Sequence, residues 1–144
     1  MTLAVAAALL PCVVACGGGK ADSGAVSERH PVTGIDWRVD SVTVDGTTHD
    51  APATARLRID ADGKASGDLG CNRFSARGTV DGDHVTLGQL RTTRMACAPA
   101  RMEFERTLAR TLTTGTLTAH ATETRLTLTD GDGDRVRLSR PAPE

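Results

Sequence analysis

The sequence predicts a mainly β domain, an antiparallel meander of strands with one amphipathic helix packed across an opening of the sheet. Three features lead to this prediction. Apolar and polar residues alternate along several short segments, Asp-Gly pairs separate these segments, and one longer segment has helical periodicity. The part of the chain with these features has the size of one small domain.

The predicted strands are the segments with period-2 alternation, which is typical of a sheet with one buried face. They comprise residues 56–60, 84–87, 116–119, 125–129 and 135–138. Trp37, which alternates with Val39, is expected to start the first strand and to close one end of the core. Asp-Gly pairs supply the positive φ of tight hairpins. These pairs stand at 45–46, 62–63, 81–82 and 130–131.

The segment from Pro99 to Leu112 is predicted to be a helix of about four turns. Phe104, Leu108 and Leu112 fall on one stripe, Pro99 suits the first turn, and Gly115 is a stop signal. The stripe is narrow and the opposite face carries both signs of charge. This favours packing on the core over a role in binding a partner or a membrane surface.

The N-terminus has the features of an export signal. An apolar run ends at Cys16 and is shorter than the roughly 20 residues that cross a bilayer. Residues 13–16, Val-Val-Ala-Cys, resemble a bacterial lipobox, so we predict a signal peptide at 1–15, lipidation of Cys16 and anchoring at the outer face of the cell membrane. No Lys or Arg precedes the run, which a start codon further upstream would explain. A cytosolic protein with an apolar N-terminus is the alternative.

The remaining chain divides by composition. Residues 16–33 are polar and rich in glycine near their start, and we predict a flexible tether with a span of about 20–25 Å. The folded domain is expected at 34–140, with a short C-terminal tail at 141–144. The chain has one Trp, two Phe and no Tyr. An aliphatic core buries less area per residue, so extra bracing is expected.

Several functions are disfavoured by the sequence. The net charge is −1, and no basic stripe with interleaved aromatic residues indicates a nucleic-acid partner. No nucleophile elbow, metalloprotease motif or phosphate loop is present, so we expect neither enzymatic activity nor a cofactor. Residues 130–134, Asp-Gly-Asp-Gly-Asp, lack the Gly and Glu of a calcium loop, because Arg135 and Pro141 stand at those positions. We predict a hairpin turn there.

Several motifs resemble, in chain order, the META domain family, typified by the heat-shock protein HslJ. They are Trp37, Gly-Asp-Leu-Gly-Cys-Asn-Arg-Phe at 67–74, Thr-Thr-Arg-Met-Ala-Cys at 92–97, a helix with Glu103 and Glu105, and Leu-Thr-Leu at 126–128. The resemblance implies a small cracked or half β-barrel with one helix packed on it. It also implies a bacterial envelope lipoprotein associated with stress and antibiotic tolerance, in a family whose molecular activity is not established.

The two cysteines of these motifs, Cys71 and Cys97, are expected to form a disulfide in an exported protein. In the chain-entropy model such a loop adds about 3–3.5 kcal/mol of stability. A redox-active pair and a metal site are the alternatives. Neither cysteine belongs to a Cys-x-x-Cys unit, and the histidines show no ligand spacing. The histidines are His30, His49, His84 and His120.

Three polar residues beside the cysteines are candidates for binding. A disulfide would bring Arg73 and Arg94 into one neighbourhood, where they could form an anion-recognising patch with Asn72. The alternative, which we favour, is that Asn72 shapes a turn and the arginines pair with local carboxylates or carbonyls.

Two functions remain from these observations. The first is a monomeric, non-enzymatic envelope module that binds a protein partner or buffers stress through its surface. The second is a carrier of a small apolar ligand or lipid in the mouth of the barrel. A continuous apolar cavity would favour the carrier. The scarcity of aromatic residues to line such a pocket favours the module.

Overall fold

The computed structural model describes residues 30–141, and every structural statement below concerns this part of the chain. The predicted signal peptide, the predicted lipidation site Cys16 and the last residues of the predicted tail, 142–144, lie outside it. The predicted tether lies outside it as well, except for residues 30–33.

The described domain contains nine strands and one helix. The strands are β1 (Trp37–Val44), β2 (Thr47–Asp50), β3 (Arg56–Ile59), β4 (Lys64–Asp68), β5 (Arg73–Asp81), β6 (His84–Thr92), β7 (Thr116–Ala121), β8 (Arg125–Thr129) and β9 (Arg135–Ser139). The helix, α1 (Pro99–Thr113), connects β6 to β7. The predicted strands and the predicted helix are all present, whereas β2, β4 and β5 were not predicted.

The strands form an antiparallel meander, as predicted, but the meander closes on itself. From β3 to β9 each strand pairs with the next along the chain, and β9 returns to pair with β1, so that eight strands form a ring. The expectation of a cracked or half-barrel is therefore wrong. The ring closes because β1 is long enough for three partners: β9 on one edge, and β3 followed by β2 on the other.

The join between β1 and β3 is short. Only two residue pairs connect these strands in register, Trp37 with Leu57 and Arg38 with Arg56. By contrast, five pairs connect β1 to β9. Beyond Arg38, the same edge of β1 turns to β2, which forms a hairpin outside the ring. The barrel wall thus has a discontinuity where β1 passes from one partner to the other.

Aliphatic side chains from all sides of the ring fill the barrel. The residues that are at most 1% exposed include Leu57, Ile59, Leu117, Leu126, Leu128 and Leu138. Trp37 is fully buried at the start of β1, as predicted, and its indole N–H donates to the carbonyl oxygen of Val32 at 3.0 Å. Val32 is itself buried. The packed domain therefore includes a residue that the sequence assigns to the tether.

Helix α1 packs against β1, β6 and β9. Its exposed side shares a cleft with Val44 and Asp45, at the other end of β1 from Trp37. Phe104, Leu108 and Leu112 are buried, which confirms the predicted apolar stripe. Within residues 30–141, no helix is long and apolar enough to span a membrane.

Two of the Asp-Gly pairs form their hairpin turns in different ways. Asp45 and Gly46 both have positive φ, 49° and 78°, and form the tight turn between β1 and β2. At 130–134 the hairpin is present, but the positive φ falls on Gly133. There Asp130 Oδ1 accepts the backbone N–H groups of Asp132 and Asp134, at 2.9 and 3.0 Å, and shapes a longer turn.

Candidate functional site

A disulfide joins the β4–β5 turn to the segment before the helix. The sulfur atoms of Cys71 and Cys97 are 2.01 Å apart and close a loop with a sequence separation of 26. Cys71 is buried, whereas Cys97 is half-buried. The predicted pairing is present, and it fixes the start of α1 against the barrel.

Asn72 organises the same region through its side chain. Its Oδ1 accepts the backbone N–H of Met95 at 2.6 Å and the hydroxyl of Thr93 at 2.9 Å. Its Nδ2 donates to the Met95 carbonyl oxygen at 3.2 Å and to Glu105 Oε1 at 2.9 Å. Each donor and acceptor of the amide is thus engaged within the protein. The geometry agrees with the interpretation that Asn72 shapes the turn.

Glu105 also belongs to this site, a role that was not predicted from the sequence. It lies on α1 and is 8% exposed. Its Oε2 accepts the backbone N–H of Asn72 at 2.7 Å, so one carboxylate binds both the main chain and the side chain of that residue. A helical projection would have found it, because position 105 lies beside Phe104 and three residues before Leu108, at the edge of the apolar stripe.

The two candidate arginines lie on adjacent segments of the chain but have different surroundings. The backbone N–H of Thr93 donates to the Arg73 carbonyl oxygen at 3.0 Å. Arg73 is therefore opposite Thr93, the residue before Arg94. Both side chains are exposed. Arg73 lines a groove on the outside of the barrel, and Arg94 is not among the residues that line it.

This outer groove has a volume of about 880 Å³ and follows β3 across the short β1–β3 join. Four arginines and two aspartates line it, an excess of two positive charges. They are Arg38, Arg56, Arg58, Arg73, Asp36 and Asp68. Thr54, Ser66 and Gly67 contribute polar atoms, and Trp37 and Phe74 are also part of its lining.

The strand register aligns three of these arginines. Arg38 pairs with Arg56, Arg56 with Asp68, and Asp68 with Arg73, across four neighbouring strands. Residues that are directly opposite in an antiparallel sheet point to the same face. The exposure of Arg38, Arg56 and Arg73 shows that this face is the outer one.

Arg58 differs from its neighbours in the groove because two carboxylates neutralise it. Its Nε donates to Asp60 at 2.8 Å and its Nη1 donates to Asp36 at 3.2 Å. The hydrogen bond to Asp60 and the attraction of Asp60 and Asp36 raise the pKa of Arg58 above its usual value. Its charge is therefore permanent but largely compensated.

Gly67 allows the close approach of β3 and β4 beneath the groove. A Cβ atom at this position would overlap the carbonyl oxygen of Arg56 and would lie 2.9 Å from a ring carbon of Phe74. The glycine in the predicted 67–74 motif is thus required by the barrel wall.

Of the four arginines that line this groove, only Arg73 was a candidate for binding from the sequence. Arg56 and Arg58 stand at the polar positions of an alternating strand, which predicts an outer face but not its neighbours. The register that brings Arg38 opposite Arg56 depends on the β1–β3 pairing, which the sequence did not reveal. Within residues 30–141, no group of three or more His, Cys, Asp or Glu side chains is arranged to hold a metal ion.

The closed ring, the single helix across one end and the disulfide define a small β-barrel domain with a helical cap. The chain belongs to the META domain family, whose model matches residues 30–143. This confirms the resemblance seen in the sequence.

Two solved structures have a similar fold. One is a protein from Burkholderia xenovorans determined by NMR, with a TM-score of 0.64 and 23% identity over 78% of this chain and 85% of that one. The other, also an NMR structure, has a TM-score of 0.55 and 25% identity over 72% of this chain and 86% of that one. A comparison with curated protein sequences found no match.

Proposed function

We propose that this protein is a non-enzymatic, stress-related binding module of the cell envelope, anchored through a lipid on Cys16 and acting through its outer surface. The observation that carries the proposal is the contrast between the two faces of the barrel wall. Inside, leucine, isoleucine and valine side chains pack to near-zero exposure. Outside, the groove of about 880 Å³ is open and charged. The polar and charged groups that a partner could bind therefore lie on the outer surface.

The envelope location is supported by two independent features. Residues 13–16 resemble a lipobox, and disulfides such as the Cys71–Cys97 bond persist mainly in oxidising compartments. The association with stress is a property of the family to which the chain belongs. The absence of a catalytic motif from the sequence supports a binding role.

The alternative function, a carrier of a small apolar ligand, has less support. A carrier needs a cavity lined mainly by apolar groups. The outer groove has a suitable volume, but four arginines line it. At the helix end of the barrel, Phe104, Leu108 and Leu112 are buried in the core.

Native mass spectrometry of the full-length protein, extracted from membranes in a nonionic detergent, tests the choice between these functions. We expect a single lipid mass that stays covalently attached to Cys16, with no additional acyl chain. A fluorescent apolar probe should show no saturable binding. A second, non-covalent acyl chain held at unit stoichiometry would overturn the module in favour of the carrier.

Anchoring is tested separately by Cys16→Ala. We expect the variant to lose the lipid mass and to leave the membrane fraction, while thermal unfolding of the domain stays unchanged. An intact, unlipidated Met1 on the wild-type protein would contradict the proposed anchoring and leave the assignment of the barrel interior unaffected.

A further inference from the structure

The outer groove contains a charge arrangement that the fold alone does not explain. Arg38 and Arg56 are directly opposite each other on β1 and β3. Like charges in that position destabilise a sheet. Arg73 stands on the same face, two strand spacings or about 10 Å from Arg56. Of these three arginines, only Arg38 forms an ion pair among the described residues, with Asp40.

Two carboxylates near the row, Asp40 and Asp68, each accept a hydrogen bond from another group. Asp40 accepts from Arg38 Nε at 3.2 Å and also from the hydroxyl of Ser139 at 3.0 Å. Asp68, which stands between Arg56 and Arg73, uses Oδ1 to accept the backbone N–H of Gly70 at 2.7 Å. Among residues 30–141, neither Arg56 nor Arg73 forms an ion pair. Two guanidinium groups in the groove are therefore available to a ligand.

We propose that this groove is a binding site for a phosphate-bearing anion, with Arg56 and Arg73 as its principal ligands and Arg38 as the third. A guanidinium group presents a planar fork of N–H donors that matches two phosphate oxygens. An anion between β1 and β3 also removes the repulsion between Arg38 and Arg56. The inference rests on the proposed function only in that binding occurs on the outer surface.

The dimensions and charge of the groove favour a small phosphate group with further polar substituents. Its volume of about 880 Å³ lies within the usual range for small-molecule sites. A phosphomonoester carries a charge of about −1.5 to −2 at pH 7, which is comparable with the two positive charges of Arg56 and Arg73, the lining arginines that form no ion pair among the described residues. The hydroxyls of Thr54 and Ser66 lie in the same lining and can bind ester or sugar oxygens. Arg101 donates to Thr54 Oγ1 at 3.4 Å and adds positive charge at the rim.

The test uses full-length protein in a nonionic detergent and the fluorescence of Trp37, the only tryptophan of the chain, which lines the groove. Inorganic pyrophosphate is the soluble probe, succinate is the dicarboxylate control, and micelles doped with phosphatidylglycerol or phosphatidylcholine test lipid headgroups. The variant is Arg38→Gln/Arg56→Gln/Arg73→Gln. Its control, Arg106→Gln/Arg125→Gln/Arg137→Gln, removes the same charge from exposed positions outside the groove.

We expect saturable binding of pyrophosphate that weakens at least about tenfold in the groove variant, since charge-assisted hydrogen bonds are lost, and stays within about twofold in the control. Binding of phosphatidylglycerol micelles alone, with the same dependence on the groove, also supports the site and identifies a lipid headgroup as the source. Equal affinity for succinate, equal loss in the control variant, or no response to any phosphate would overturn it. These outcomes test only the phosphate site. The choice between module and carrier is tested separately, because native mass spectrometry detects an acyl chain inside the barrel.

Melting temperatures show whether a loss of binding comes from misfolding of the variant. Without phosphate, Arg56→Gln should melt at the same temperature as the wild type or higher, because it relieves the repulsion with Arg38. Pyrophosphate should raise the melting temperature of the wild type and leave that of Arg56→Gln nearly unchanged. A lower melting temperature for Arg56→Gln in the absence of phosphate would show that Arg56 supports the fold, and would contradict the proposal.

Discussion

The two ends of the barrel are closed by different kinds of interaction. At the helix end, a disulfide and the buried Asn72–Glu105 hydrogen bonds hold α1 in place. At the other end, the fully buried ring of Trp37 closes the core with one hydrogen bond to Val32. At the first end, reduction can break the disulfide, and the loss of the Glu105 carboxylate can break the hydrogen bonds to Asn72. The second depends on the volume of a single side chain.

Trp37→Ala should produce the largest loss of stability. Removing a buried Trp side chain leaves a cavity and decreases the free energy of unfolding by about 3–5 kcal/mol. Urea denaturation followed by circular dichroism measures it, because the fluorophore is gone. Trp37→Phe, which keeps part of the volume, should lose less. Equal losses for the two variants would show that the hydrogen bond to Val32, rather than packing, closes this end.

Replacing both cysteines, Cys71→Ala/Cys97→Ala, should lower stability by about 3.5 kcal/mol, the chain-entropy value for a loop with a sequence separation of 26. Thermal unfolding with and without reductant measures the same quantity in the wild type. Reductant should have no effect on the double variant. Because the disulfide and Trp37 lie on different elements and share no hydrogen-bond partner among the described residues, the losses from Trp37→Ala and from reduction should add. A loss much greater than the sum would mean that the two ends are coupled.

Glu105→Gln should decrease the free energy of unfolding by about 1–3 kcal/mol, because it replaces a charged acceptor and turns an amide group toward the buried donors of Asn72. Glu103→Gln is the matched control, since Glu103 is exposed on the same helix and should change stability by less than about 0.5 kcal/mol. Equal effects of the two substitutions would point to the helix charge rather than to the buried contact.

Arg140→Ala should have the smallest effect. The Arg140 guanidinium carbon lies 5.8 Å from the centroid of the Trp37 ring, which is a cation–π distance. Such contacts at exposed sites contribute about 0.5–1 kcal/mol. The Arg140→Lys variant keeps the charge and should retain most of this energy. Double-mutant analysis with Trp37→Phe measures the contact directly, and a zero coupling energy would exclude it.

Local patterns were sufficient to predict most strands and the helix. Alternation in β3, β7, β8 and β9, and the stripe through Phe104, Leu108 and Leu112, follow from which residues avoid water. Strands β4 and β5 were harder to predict. Their inward positions include Gly67, Ala76 and Gly78, which give little hydrophobic contrast.

Long-range pairing could not be predicted from local patterns. The closure of β9 on β1 depends on partners about one hundred residues apart, and so does the open or closed state of the barrel. The same limit applies to the sites. The cysteine motifs located the disulfide and Asn72, but Glu105 and the arginine row became visible only through the register of distant segments.

The pairing of the first strand with the last imposes an order of assembly. Residues 38–43 pair with residues 135–139, so the ring cannot close until residues 135–139 have emerged from the ribosome. The bond between Cys71 and Cys97 needs only the middle of the chain. Oxidation can therefore precede closure and shorten the search that the terminal strands must complete.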